Sequence, residues 1–195
     1  MLSHLKYLES VAQALLVGNV PPKFQPNKSF YMSLDGFVEP KERARTSRSG
    51  HHYTPKDTRD YESYVKTNAI ATMRDRGLKV FDRPVIIYLE IRDQIHSETQ
   101  PWLRTLMKNK LVFETTGGDL DNKEKAILDA LNKVVYKDDR LVVQCFKFRT
   151  YADVAGFTID VTPCGLTKTD LENIGKILTY GGYDGQEKNT RGSAR

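Results

Sequence analysis

The sequence is poor in cysteine, in tryptophan and in long apolar runs, and each shortage excludes something. There are two cysteines, Cys145 and Cys164, and neither has a neighbour at zinc-ligand spacing. A disulfide framework and a zinc knuckle are thereby excluded; buried free thiols in a reducing compartment are expected. The longest apolar run near the start, Val11 to Val17, is broken by Gln13 and falls far short of the ~20 residues that span a bilayer. It carries neither a basic flank nor a small-residue cleavage site, so no signal peptide or membrane partner is expected and a cytoplasmic location is. No internal repeat occurs, and no P-loop, GxGxxG or Ser/Cys nucleophile elbow. The single tryptophan, Trp102, reads as a packing residue rather than a base-stacking one.

What remains is a chain of 195 residues, long enough to bury a core without covalent staples. The net charge of +5 keeps an anionic partner in view but does not identify one. Residues 1–28 read as an N-terminal helix, with Leu5, Leu8, Ala12, Leu15 and Leu16 on one stripe, followed by a linker holding Pro21, Pro22 and Pro26. The compact domain is expected over 29–164. Residues 165–195 give a short helix, opened by a capping box from Thr169 to Glu172, and a disordered tail after Tyr180.

Within the domain, Ser29 to Val38 alternates as a strand. The segment after Pro40 is basic: Lys41, Arg43, Arg45 and Arg48 stand against Glu42, and Lys56 follows. It has Gly and Ser but no apolar period, so an exposed irregular loop is expected. A charge run is usually a solvated face. Here its arginine content favours DNA phosphate contacts, because a planar guanidinium pairs with phosphate at two points. His51 and His52 are adjacent and read as exposed polar residues, not a metal pair. Thr54-Pro55 starts a helix with Thr as N-cap; it buries Tyr61, Val65, Ala69 and Met73 and stops at Gly77. Pro84 to Arg92 is a strand with Val85, Ile87, Leu89 and Ile91 on one face. Asp93 to Lys110 reads as an insertion holding a short helix, and Leu111 to Glu114 as a short strand. Leu141 to Tyr151 and Val154 to Val161 read as strands joined in a hairpin at Ala152-Asp153. The fold class is α/β (α+β), a small mixed β-sheet packed with helices.

The chemistry concentrates in Gly118 to Val143. Asp119 and Asp121 open a helix whose buried stripe is Leu120, Ile127, Leu131 and Val134, and Lys125 stands four residues after Asp121 on the same surface. The bland alternative is strong for each alone: acids favour helix N-termini, and an Asp–Lys pair adds a few tenths of a kcal/mol. It leaves Asp138-Asp139 unexplained. Asp121 to Lys133 covers about 18 Å of helix. The six residues Val134 to Asp139 span about 20 Å if extended. A reversal after Lys133 is thus expected to bring Asp139 back beside Asp119 and Asp121. Three carboxylates so close need a counter-charge. All-oxygen ligation suits Mg²⁺, with Mn²⁺ possible, and such an ion serves phosphodiester hydrolysis. Lys125 is placed to stabilise charge on the phosphoryl group.

DLDNKEKAILDALN followed by DDRLVV resembles the RusA-like family of Holliday-junction resolvases, whose pattern is a DLDN-x-x-K helix start and a later DD-x-x-VV. Residues 37 to 64 are similar too: a strand, a basic loop, then YTP opening a helix with a Tyr-Glu pair, Tyr61-Glu62. The resemblance covers about residues 30 to 162. It implies a mixed-sheet fold, a homodimer, and Mg²⁺-dependent symmetric nicking of four-way DNA junctions in recombination and repair. It puts the catalytic carboxylates at Asp119, Asp121 and Asp139, as metal ligands, and the essential lysine at Lys125. The stretch before the acidic pair is one residue shorter than in the best-known member, so Asp138 stays beside Asp139 as the alternative. The rival readings are a nuclease for flaps or forks, a non-catalytic branched-DNA binder, and a structural domain whose acids only cap and solvate.

Overall fold

The computed structural model describes residues 4–22, 28–43, 45–46 and 50–180. Arg48 and the tail from Gly181 to Arg195 lie outside the described residues, as does the stretch 23–27 of the expected linker. The chain divides into two compact units: Gln25–Gly165, and Met1–Phe24 together with Leu166–Arg195.

The larger unit is a four-stranded mixed sheet with helices. Its strands are β1 (Phe30–Asp35), β4 (Val85–Gln94), β5 (Val142–Ala152) and β6 (Gly156–Pro163), in the order β1-β6-β4-β5. β4 runs parallel to β5 and antiparallel to β6, and β6 is antiparallel to β1. The expected β5–β6 hairpin does not form, because β4 lies between them. The alternation explains why. Val85, Ile87, Leu89 and Ile91 are fully buried, so β4 belongs at the centre. β5 alternates Lys147 and Arg149 with Phe146 and Phe148, and occupies an edge.

Two helices cover one sheet face. α2 (Lys56–Asp75) presents Val65, Ala69 and Met73 to the core. Pro55 takes its N-cap position, one residue later than expected for the cap, and Gly77 at φ +57 provides the left-handed stop. α4 (Leu120–Leu131) buries Ala126, Ile127, Ala130 and Leu131, continued by Val135 and Tyr136. α3 (Pro101–Lys108) has no buried residue, and Trp102 is exposed, which overturns its reading as a packing residue. Arg104 and Lys108 fix this helix to Asp153. Leu111 to Glu114 forms no strand. The basic segment is more ordered than an irregular loop: β2 (Arg45–Thr46) and β3 (His52–Tyr53) pair antiparallel as a short ribbon.

In the smaller unit, α1 (His4–Leu16) packs Leu8, Val11 and Ala12 with Ile174 of α5 (Lys168–Tyr180). Leu5, Leu15 and Leu16 of the expected stripe are exposed. The capping box is Thr167–Asp170, two residues earlier than expected: Asp170 N–H donates to Thr167 Oγ1, and Thr167 N–H to Asp170 Oδ2. No helix among the described residues is long and apolar enough to cross a membrane.

Candidate active site

Asp119 is the N-cap of α4, with extended backbone and no side-chain cap bond; Asn122 Nδ2 donates to its Oδ2 at 3.3 Å. Gly118, at φ +72, makes the left-handed turn that delivers it, a conformation a side chain would strain. Three groups fix that turn from outside. Arg149 of β5 donates to the carbonyls of Gly118 (2.9 Å) and Gly117 (3.0 Å). The Glu114 carboxylate accepts from Thr116 N–H and Oγ1, from Gly117 N–H and from the Tyr151 hydroxyl. These bonds, led by that of the Thr116 hydroxyl, hold its pKa down at about 2. The third group is Asp93. It takes Arg149 Nε on one oxygen (2.8 Å) and the ammonium of Lys123 on the other (2.7 Å). Lys123 is a buried lysine in the first turns of α4, and this carboxylate is what lets its charge be buried. Asp93 is thus the penultimate residue of β4 and part of the site's frame, not the start of an insertion.

Asp121 sits in the first turn with its carboxylate exposed. Lys147 of β5 donates to Asp121 Oδ1 at 2.5 Å and also to Glu124 Oε2. Both bonds raise the Lys147 pKa, that to Asp121 most. Lys125 is exposed one turn beyond Asp121. Burial pushes the Cys145 thiol, beside Glu124, up to about 12.

Asp139 is not with them. The chain reverses at the C-terminal end of α4 in a tight turn. Lys133 N–H donates to Tyr136 C=O, and the buried Tyr136 hydroxyl donates to Leu128 C=O. Residues 134–139 are spent on this turn rather than on an extended return, so the sequence-based convergence does not occur within one chain. Asp139 opens a 3-10 turn just ahead of Val142. β5 makes the return journey: Lys147, which reaches Asp121, is five residues and about 16 Å along the strand from Val142. Among the described residues, no three His, Cys, Asp or Glu side chains group to hold a metal ion. Asp138 is committed elsewhere. It accepts from Arg140 N–H, Nε and Nη2, bonds that hold its carboxyl far below the usual range.

The basic segment does reach the acidic end. Lys41 N–H donates to Asn122 C=O at 2.9 Å, and a cleft of about 470 Å³ is lined by Pro40 to Arg43, Glu42 included, and by Gly118, Asp119 and Asn122. Of the expected phosphate contacts, Arg43 is exposed on this cleft. Lys41 has its ammonium between Glu62 (2.6 Å) and Asp129 (2.5 Å), so its charge is matched internally. Lys56 pairs with Asp60 on the solvent face of α2, and the backbone of Arg45 is in the ribbon.

Sequence reasoning missed Asp93, Glu114, Lys123, Glu124, Lys147 and Arg149. One signal was available. Cys145, Lys147 and Arg149 alternate on the β5 face that meets α4, and two cations on an inward face call for acids opposite.

Two comparisons bear on the chain. A family model described as endodeoxyribonuclease RusA matches residues 35–162, nearly all of the larger unit and none of the smaller. No curated protein matches.

Proposed function

The chain belongs to the RusA endodeoxyribonuclease family, and on that premise we propose that it is a divalent-metal-dependent nuclease that resolves four-way DNA junctions as a homodimer. The observation that carries the reading is the shared cleft. An exposed arginine, Arg43, and an acid at a helix N-terminus, Asp119, line one opening, beside the exposed carboxylate of Asp121.

The donor set fits a hard cation. Asp119 and Asp121 offer carboxylate oxygens, and neither Cys nor His lines the cleft. Mg²⁺ is held by one or two carboxylates while it keeps several waters. When bound, such an ion lowers the pKa of a water and neutralises charge on a phosphoryl oxygen. The protein does the rest. Arg43 holds a phosphate, Lys125 sets its charge against the phosphoryl oxygens, and Gly118 keeps the Asp119 carboxylate facing the cleft. Asp139, past the turn at the C-terminal end of α4 in its own chain, enters from the second copy. A dimer is favoured by the exposed aromatic face on the edge of the sheet: Tyr88 and Phe146 stack at 4.8 Å, and both are about half exposed, as is Phe148. A two-fold dimer holds two such centres in the symmetry of a junction.

The test compares four-way junction, three-way junction, flap and duplex, each with Mg²⁺ and with EDTA. Paired nicks in the four-way junction with Mg²⁺, none with EDTA, are expected. Preferred cutting of the flap favours the rival specificity, and equal binding with no cutting under any condition overturns the nuclease reading.

A further inference from the structure

A second, smaller opening of about 190 Å³ is lined in part by Leu34 to Phe37, the stretch of chain that leads into Pro40 at the cleft. Its full lining is Leu34, Asp35, Phe37, Tyr61, Tyr64 and Phe157, with Gly36 between the two strand-end residues and Phe37. We propose that this slot receives a single unstacked nucleobase of the junction, while the neighbouring backbone lies in the Arg43–Asp119 cleft; the proposal rests on the nuclease reading above.

Four observations argue for that occupant. First, the rings at the mouth are uncovered: Phe37 is 65% exposed and Tyr64 49%. Such rings stack on a base of any sequence. Second, the Tyr61 hydroxyl is buried with no hydrogen-bond partner among the described residues. A buried hydroxyl is seldom left so, and the edge of a base offers both donors and acceptors. Third, the charge is wrong for a phosphate. The lining contains one carboxylate, Asp35, and no cation. Asp35 is already held by Arg92 at 3.1 Å, and its remaining lone pairs accept from an exocyclic amine. Fourth, the slot is tied to the cleft. Phe37 is three residues from Pro40, at most about 10 Å of chain. Its ring also lies 5.3 Å from the Lys123 ammonium in α4, the lysine that Asp93 anchors under the Asp119 turn. A base in the slot and a phosphate in the cleft therefore belong to nucleotides close together in one strand. The strand-exchange point of a junction is where a base leaves its stack at least cost, and an enzyme that holds it there selects branched over duplex DNA.

The experiment uses the full chain in Ca²⁺ or EDTA, with a four-way junction carrying 2-aminopurine next to the crossover and a duplex of the same sequence. The wild type is expected to raise 2-aminopurine emission on the junction. Phe37→Ala and Tyr64→Ala are expected to lose that rise and to bind the junction roughly 5- to 100-fold more weakly, with duplex affinity unchanged. Tyr61→Phe keeps the ring and removes only the unpartnered hydroxyl. It is expected to leave the melting temperature unchanged or higher while it weakens junction binding. Wild-type emission and affinity in all three variants overturn the slot. So does a shift of the variants from dimer to monomer in sedimentation, which assigns the slot to a side chain of the second copy. A wild-type chain that binds neither junction nor duplex overturns the nuclease reading itself, a result distinct from indifference of the variants.

Discussion

Lys147 donates to the Asp121 carboxylate, and on the proposed reading a divalent cation would have to compete with that ammonium for the same oxygens. The lysine neutralises Asp121 together with Glu124, so on that reading its removal should favour the metal. Lys147→Met is expected to tighten Mg²⁺ binding by up to about fivefold, a range set by the exposure of the Asp121 carboxylate. Titration calorimetry reads this directly, and unchanged or weaker binding would take Asp121 off the ion. Glu114 carries a pH signature. Its pKa in the fold, about 2, is below its ordinary 4.5, so its contribution is complete above 4.5 and disappears as pH falls toward 2. Thermal melts should show the advantage of wild type over Glu114→Gln at pH 6 shrinking through that window. A difference that does not vary with pH would mean that the Glu114 bonds do not fix the turn before Asp119.

Between α4, β4 and β5, one carboxylate serves two cations. Asp93 meets Lys123 and Arg149, whose side chains are 2% and 10% exposed. Without it the Lys123 charge is buried and unpaired, so Asp93→Ala is expected to cost about 3–5 kcal/mol in urea unfolding. Adding Lys123→Met should recover part of that loss; if the double variant is no more stable than the single, the buried charge is not the cause. The sequence made the elements legible because their periods are local. Val85 to Ile91 alternates, and the stripe of α4 recurs at helical spacing. Pairing was not legible. Short spacing between β5 and β6 favoured a hairpin, whereas the burial demand of β4 placed it between them. The same limit hid the frame of the site. Asp119, Asp121 and Lys125 share one helix start, but Asp93, Lys147 and Arg149 reach it only through the parallel β4–β5 register. Distance along the chain was misjudged in the opposite sense at Asp139. A segment long enough to return was spent closing the end of α4 around Tyr136.

On the scale of the whole molecule, Asp119 and Asp121 stand at one end of α4, a helix about 18 Å long, and Asp139 follows the turn at its other end, so on the proposed reading each chain alone holds an incomplete set. A two-fold dimer that joins Asp119 and Asp121 of one copy to Asp139 of the other completes two centres and makes each depend on both chains. Complementation tests this most directly. Asp121→Asn and Asp139→Asn are each expected to be inert on a four-way junction in Mg²⁺. Refolded together, they form mixed dimers in which one centre has both defects and the other has none. The account expects nicking of one strand per junction from the mixture, lost in EDTA. A mixture that stays inert beside active wild type, or either single variant cutting at the wild-type rate, would contradict it.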